Sequence, residues 1–132
     1  MTDQDISQKF SQETLNKIFP PEKTDAFFEA MFGDASEGAY DIRLIFQGIN
    51  AHILHFAFEL TQRPEKCLVC SVTYGLPQVF SKHRIIDTEN IVKQIQATIG
   101  NVNVLSWKLQ PTLPIEQNMH LVPLHITLDQ SM

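Results

Sequence analysis

Cysteine is scarce in this chain, with two in 132 residues, and that excludes a disulfide framework and a cysteine-rich zinc fold. The two form Cys67-Leu-Val-Cys70, the spacing of a metal or redox pair, which needs a turn or a helix start to bring its sulfurs together. Here the pair falls in a predicted strand, where a spacing of three sends the side chains to opposite faces. Neither bound zinc nor a disulfide is expected. His52 and His55 fail as a metal pair for the same reason, and so do His120 and His125. Glycine is scarce too: all five fall at turns or helix ends, and no GxGxxG or P-loop is present. GxSxG and HExxH are also missing, which argues only against the enzymes that carry those signatures. No metal and no cofactor is expected.

Positive charge is in the minority, with 10 Lys and Arg against 15 Asp and Glu, net −5. That argues against a general nucleic-acid binder. Residues 1–41 hold nine acids and three bases, net −6, and residues 42–132 hold six acids and seven bases, net +1. The acidic part is therefore an N-terminal arm, either a solubilising surface or a complement to something basic. Long apolar runs are missing as well. The longest charge-free stretch near the core, Leu44 to Phe58, has 15 residues and includes Gln47, Asn50, His52 and His55, so no membrane span is expected. MTDQDISQKF has no apolar signal-peptide core. With two cysteines and no export signal, the expectation is a cytoplasmic, reduced protein.

What is present is alternation. Tyr40, Ile42, Leu44 and Phe46 share one face of a first run. Leu54, Phe56, Phe58 and Leu60 share a face of a second, and Leu68, Cys70, Val72 and Tyr74 of a third. All sit at even positions, so even must oppose even across each hairpin and each loop must have an odd number of residues. Gly48-Ile49-Asn50 fits a three-residue loop, placing Phe46 opposite His52, Leu44 opposite Leu54 and Ile42 opposite Phe56. Gln62 to Lys66 fits a five-residue loop, placing Leu60 opposite Leu68 and Phe58 opposite Cys70.

Around this meander the spacing of Ile6, Phe10, Thr14 and Ile18 predicts a helix over 5–18, or a shorter one capped by Ser11. A second helix follows Pro21, carries Phe27, Phe28, Met31 and Phe32, and ends at Gly33. Ile91, Val92, Ile95 and Ile99 stripe a third, over 88–99. Strands are predicted at 102–110, with Leu105, Trp107 and Leu109 on one face, and at 119–128, burying Val122, Leu124, Ile126 and Leu128. The fold class is α+β in one domain: two N-terminal helices in an arm over 1–33, then a five-stranded, mostly antiparallel sheet over 39–128. That sheet is a three-strand meander, a crossover helix and a C-terminal hairpin. The expected strand order is 3-2-1-4-5, with the last strand at the edge, or bulged at Pro123, because Pro123 lacks an N–H. The element order α-α-β-β-β-α-β-β is similar to that of class I type III secretion chaperones, in topology and in no sequence motif.

Two places could carry function. The 74–84 stretch, YGLPQVFSKHR, offers Lys82, His83 and Arg84 as donors to an anion, or is an ordinary exposed loop. On the outer face of the sheet, Arg43, His55 and Thr73 form an expected row, with Glu59 two residues along and His125 on the same face. His55 and Glu59 could work as an acid/base pair. That face mixes Ile45, Ile53, Ala57, Val69, Val102, Val104 and Leu121 with charged groups, too apolar for a free surface. Partial cover by the N-terminal helices and completion by a second copy is expected. The functional expectation is a non-catalytic binding or interaction module, a homodimer engaging a protein partner or a small ligand. The alternative is an anionic small-molecule binder or an enzyme using the 74–84 loop or the His55/Glu59 row.

Overall fold

A computed structural model of the chain describes residues 3–68 and 75–129. The helix expected over 5–18 is two helices, α1 (Asp3–Lys9) and α2 (Gln12–Ile18). Ser11 breaks them: its backbone is extended and its Oγ accepts the Thr14 N–H at 3.3 Å. α3 (Glu22–Phe32) stops at Gly33, whose φ of 81° suits the left-handed residue that ends a helix. A 3-10 turn then leads into β1 (Tyr40–Asn50) and β2 (Ile53–Gln62). Next come α4 (Leu76–Lys82) and α5 (Thr88–Ile99), the latter capped by the Asp87 carboxylate accepting the Asn90 N–H. The chain continues with β3 (Val104–Leu109), β4 (Leu113–Glu116) and β5 (Met119–Leu128).

The α+β class and the five-stranded antiparallel sheet form as expected, but the pairing differs. The order is β1-β2-β5-β3, with β4 also on β5. β5 lies beside β2 from Ile53 to Thr61, in the seat expected for the third strand. A strand has two edges, and β1 and β5 take both edges of β2, so Phe58 opposes Val122 and Leu60 opposes His120 rather than Cys70 and Leu68. Leu68 is buried in a turn, and the rest of that run, 69–74, lies outside the described residues. The order 3-2-1-4-5 and the three-strand meander therefore give way to a hairpin and a central C-terminal strand.

Pro123 sits in that central strand. Odd residues of β5 turn their peptide groups toward β3 and β4, since Gln110 N–H donates to Pro123 O at 2.8 Å. Pro123 falls at the gap between β3 and β4, where the ladder is already interrupted and a missing donor loses least.

The first hairpin keeps even opposite even by another device. Its turn is the two-residue Ala51-His52, with Ala51 at a φ of 56°. That alone would reverse the faces. A bulge at Gln47, between the pairs Phe46–Phe56 and Gly48–His55, reverses them back. Leu44 then opposes Phe58 and Ile42 opposes Leu60.

Each described helix contributes buried apolar side chains to one core on the even-numbered face of β2 and β5, although α3 leaves Met31 and Phe32, expected as cover, exposed. Phe10 meets Phe56 edge-on at 5.0 Å, Phe19 meets Phe58 at 5.6 Å, and Phe80 meets Phe58 at 5.2 Å. The N-terminal helices thus share this face with α5 and do not cover the outer one. Val102 and Val104, expected outside, belong to the core. A bulge between Val104 and Ser106 puts Val104 opposite Leu128, and Leu105 is left 67% exposed.

Candidate binding surface

The outer face is organised by cross-strand pairs. Arg43 opposes Glu59, and their Nη2 and Oε1 atoms form an ion pair at 2.7 Å. His55 opposes His125, with ring centroids 4.4 Å apart at 77°. Lys108 stands beyond His125, and Gly48 faces His55 from β1. Arg43 and His55 share the face but not a rung, because the turn falls at Ala51-His52 rather than Gly48-Ile49-Asn50 and Arg43 then opposes Glu59. Burial and the charge of His55 hold the His125 pKa below its ordinary 6.5. His125 therefore lies between the His55 imidazole and the Lys108 ammonium, His55 lies between His125 and Gly48, and the Glu59 carboxylate is engaged by Arg43. Thr73 and Val69 lie outside the described residues.

The 74–84 stretch is largely helix. Lys82 is exposed in the last turn of α4, and Arg84 is exposed just past it. His83 turns inward: its ring meets Phe27 at 4.9 Å, and its Nδ1 accepts the Ile85 N–H at 3.1 Å. Burial and the neighbouring Arg84 lower its pKa, so the ring is neutral and offers one Nε2 donor rather than a charge. Lys82 and His83, with Gly75, Gln78 and Val79, line an open groove of about 410 Å³. Gln78 also belongs to a second groove of about 260 Å³, walled by Pro77, Gln78 and Ser81 of α4 and by Trp107, Lys108 and Leu109 of β3. His55 lines neither. Arg63 is structural: it pairs with Asp25 at 2.7 Å and Asp41 at 3.0 Å, donates to Ala35 O, and lies over the Phe28 ring.

The β3–β4 margin was not marked by the sequence. Of the large apolar side chains left exposed among the described residues, Leu105 (67%), Leu113 (46%) and Ile115 (50%) stand there, while Met31 (45%) and Phe32 (56%) stand at the end of α3. Leu105 reads as inward by alternation and is turned out by its bulge. The run from Gln110 to Asn118, with Pro111 and Pro114, reads as a loop in sequence, and β4 within it is a correction.

Among the described residues, no three His, Cys, Asp or Glu side chains converge to hold a metal, and no helix is long and apolar enough to cross a membrane. Cys67 is disulfide-bonded, which overturns the expectation of reduced cysteines and removes that ground for a cytoplasmic location. The strand argument fails because Cys67 is in exposed, non-strand backbone before the Leu68 turn. Its one possible partner within the chain, Cys70, lies outside the described residues. Comparison of the chain with protein-family models, curated proteins and solved structures finds no match.

Proposed function

We propose that this protein is a non-catalytic binding module that engages a protein partner along the β3–β4 margin of its sheet and pairs with a second copy through the outer face. The observation that carries the reading is the exposure of Leu113 and Ile115 two residues apart on β4, with Leu105 exposed farther along the same margin, beside the other end of β5. Neighbouring exposed apolar groups mark a contact surface. The outer face supports the second part: half-buried Ile45, Ile53 and Met119 lie there among the ion pair and the histidines, a mixture suited to a twofold contact.

Photo-cross-linking tests the first part. A photoreactive residue at Leu105 or Leu113 in the full chain should give one discrete heteromeric adduct in cells, and the same residue at exposed Gln8 on α1 should give none. Equal adducts at all three positions would remove the reading. A second reading, a site for a small anion, is favoured by Lys82 in the wall of the 410 Å³ groove. Titration with inorganic phosphate should then move the amide signals of Lys82 and His83 first, and shifts spread evenly over the surface would dismiss it.

A further inference from the structure

We infer that the outer edge of β3 takes up an extended peptide of the partner, one that alternates acidic with apolar side chains, as an added strand beneath α4; this rests on the reading of the protein as a binding module. Backbone geometry comes first. Gln110 N–H donates to Pro123 O, while Lys108 and Ser106 stand opposite His125 and Thr127. Peptide groups alternate in direction along a strand, so Ser106, Lys108 and Gln110 face β5 while Trp107 and Leu109 turn theirs away from it. Among the described residues, no hydrogen bond satisfies those outward groups.

Other stretches of edge are closed. On β1 the Thr24 hydroxyl bonds both peptide groups of Ile42, and Gln12 Nε2 donates to Leu44 O at 3.0 Å. At the start of β3 itself, Gln96 Oε1 accepts the Val104 N–H at 3.1 Å. An unpaired edge is a template for another strand, and here a helix runs alongside it with a 260 Å³ groove between them. Strand edge and neighbouring helix together are what strand-adding peptide sites use: main-chain hydrogen bonds give affinity, and pockets for alternate side chains give specificity.

The side chains state the peptide's chemistry. Trp107 and Leu109 point to the core side, so every second residue of an added strand lies over them, against Pro77 of α4, and is apolar. The residues between lie on the side of Lys108. That lysine is exposed and makes no ion pair with any described residue, and no carboxylate lines either groove. Lys82 and Arg84 extend the same sign past the end of α4. The intervening residues are therefore acidic.

The probes are two capped heptapeptides, one alternating glutamate with valine and one alternating lysine with valine, titrated into the full chain and followed by amide NMR and hydrogen exchange. With the glutamate peptide at saturation, exchange at the Trp107 and Leu109 amides should slow about tenfold or more, and Gln78 and Ser81 should shift. The lysine peptide should bind at least about tenfold more weakly, and Lys108→Glu, at an exposed site, should reverse the preference. Unchanged exchange at Trp107 and Leu109, or a preference indifferent to Lys108→Glu, overturns the inference. Shifts confined to Leu113 and Ile115 overturn this seat while leaving the binding-module reading intact. That reading fails separately, on the cross-linking result above.

Discussion

The hydroxyl of Thr24 closes both peptide groups of Ile42, donating to its carbonyl and accepting from its N–H, each at 3.2 Å. Thr24 is on α3 and is 2% exposed, so a helix occupies the position where another strand would pair with β1. Thr24→Val keeps the shape and leaves two buried backbone groups without their partner. We expect a loss of about 1–3 kcal/mol in urea denaturation. A variant as stable as the parent would show that water replaces the hydroxyl and that α3 does not seal the edge.

Phe56 is fully buried, between Phe10 at 5.0 Å and Phe46 at 5.1 Å. Phe56→Ala should cost about 3–5 kcal/mol. Trp107 packs on the core from the sheet margin and is half-buried, so Trp107→Ala should cost clearly less. Equal losses in the same denaturation series would mean that the margin is closed in solution.

Acid should destabilise the fold in a defined window. Burial lowers the pKa of His120, burial and His55 lower that of His125, and burial and Arg84 lower that of His83. The unfolded chain therefore binds protons more readily at these sites. Their stabilising contribution is complete above the ordinary value of about 6.5 and is lost as pH falls through the lower folded-state values. Urea midpoints should be flat from about pH 8 to about pH 7 and decline below about 6.5, and His83→Phe should make the decline shallower. A midpoint that rises on acidification through this range would contradict the assignment.

The outer face should mediate self-association. Ile45→Glu together with Ile53→Glu should convert a dimer to a monomer in sedimentation velocity at micromolar concentration. A parent chain already monomeric there removes the dimer. Val104 is the wrong probe, since it packs on the core and a glutamate there would unfold the chain.

Period-two alternation at 40–46, 54–60 and 122–128 was legible because one face of each strand is buried. Which strand sits beside β2 was not. The run at 68–74 and the run at 119–128 are both apolar enough to fill that seat, and the choice depends on how the whole core packs. Arg43, His55 and His125 could be put on one face, but the rung expected for Arg43, opposite His55, was wrong: a three-residue turn at Gly48-Ile49-Asn50 fits the alternation alone, and nothing in composition marks the turn at Ala51-His52 with its Gln47 bulge. The closing of β1 by Thr24 and Gln12 was equally hidden: both residues are polar and read as helix surface, and only the tertiary fold brings them to a strand edge. The exposure of Leu105 depends on a second bulge of the same kind.

The Gln47 bulge and the two-residue turn at Ala51-His52 together set which residues of the hairpin face the core, and this decides where its length can change. Deleting Gln47 removes only the unpaired residue and leaves a plain ladder, with Phe46 still opposite Phe56 and Gly48 opposite His55. A residue inserted between Ala51 and His52 lengthens the connection and leaves every pair in place. A single-residue change elsewhere in β1 or β2 turns part of that strand over unless a new bulge absorbs it. Descendants of this hairpin should therefore carry their single-residue length changes at these two places, and chains with such changes elsewhere should be selected against even when no core side chain is altered.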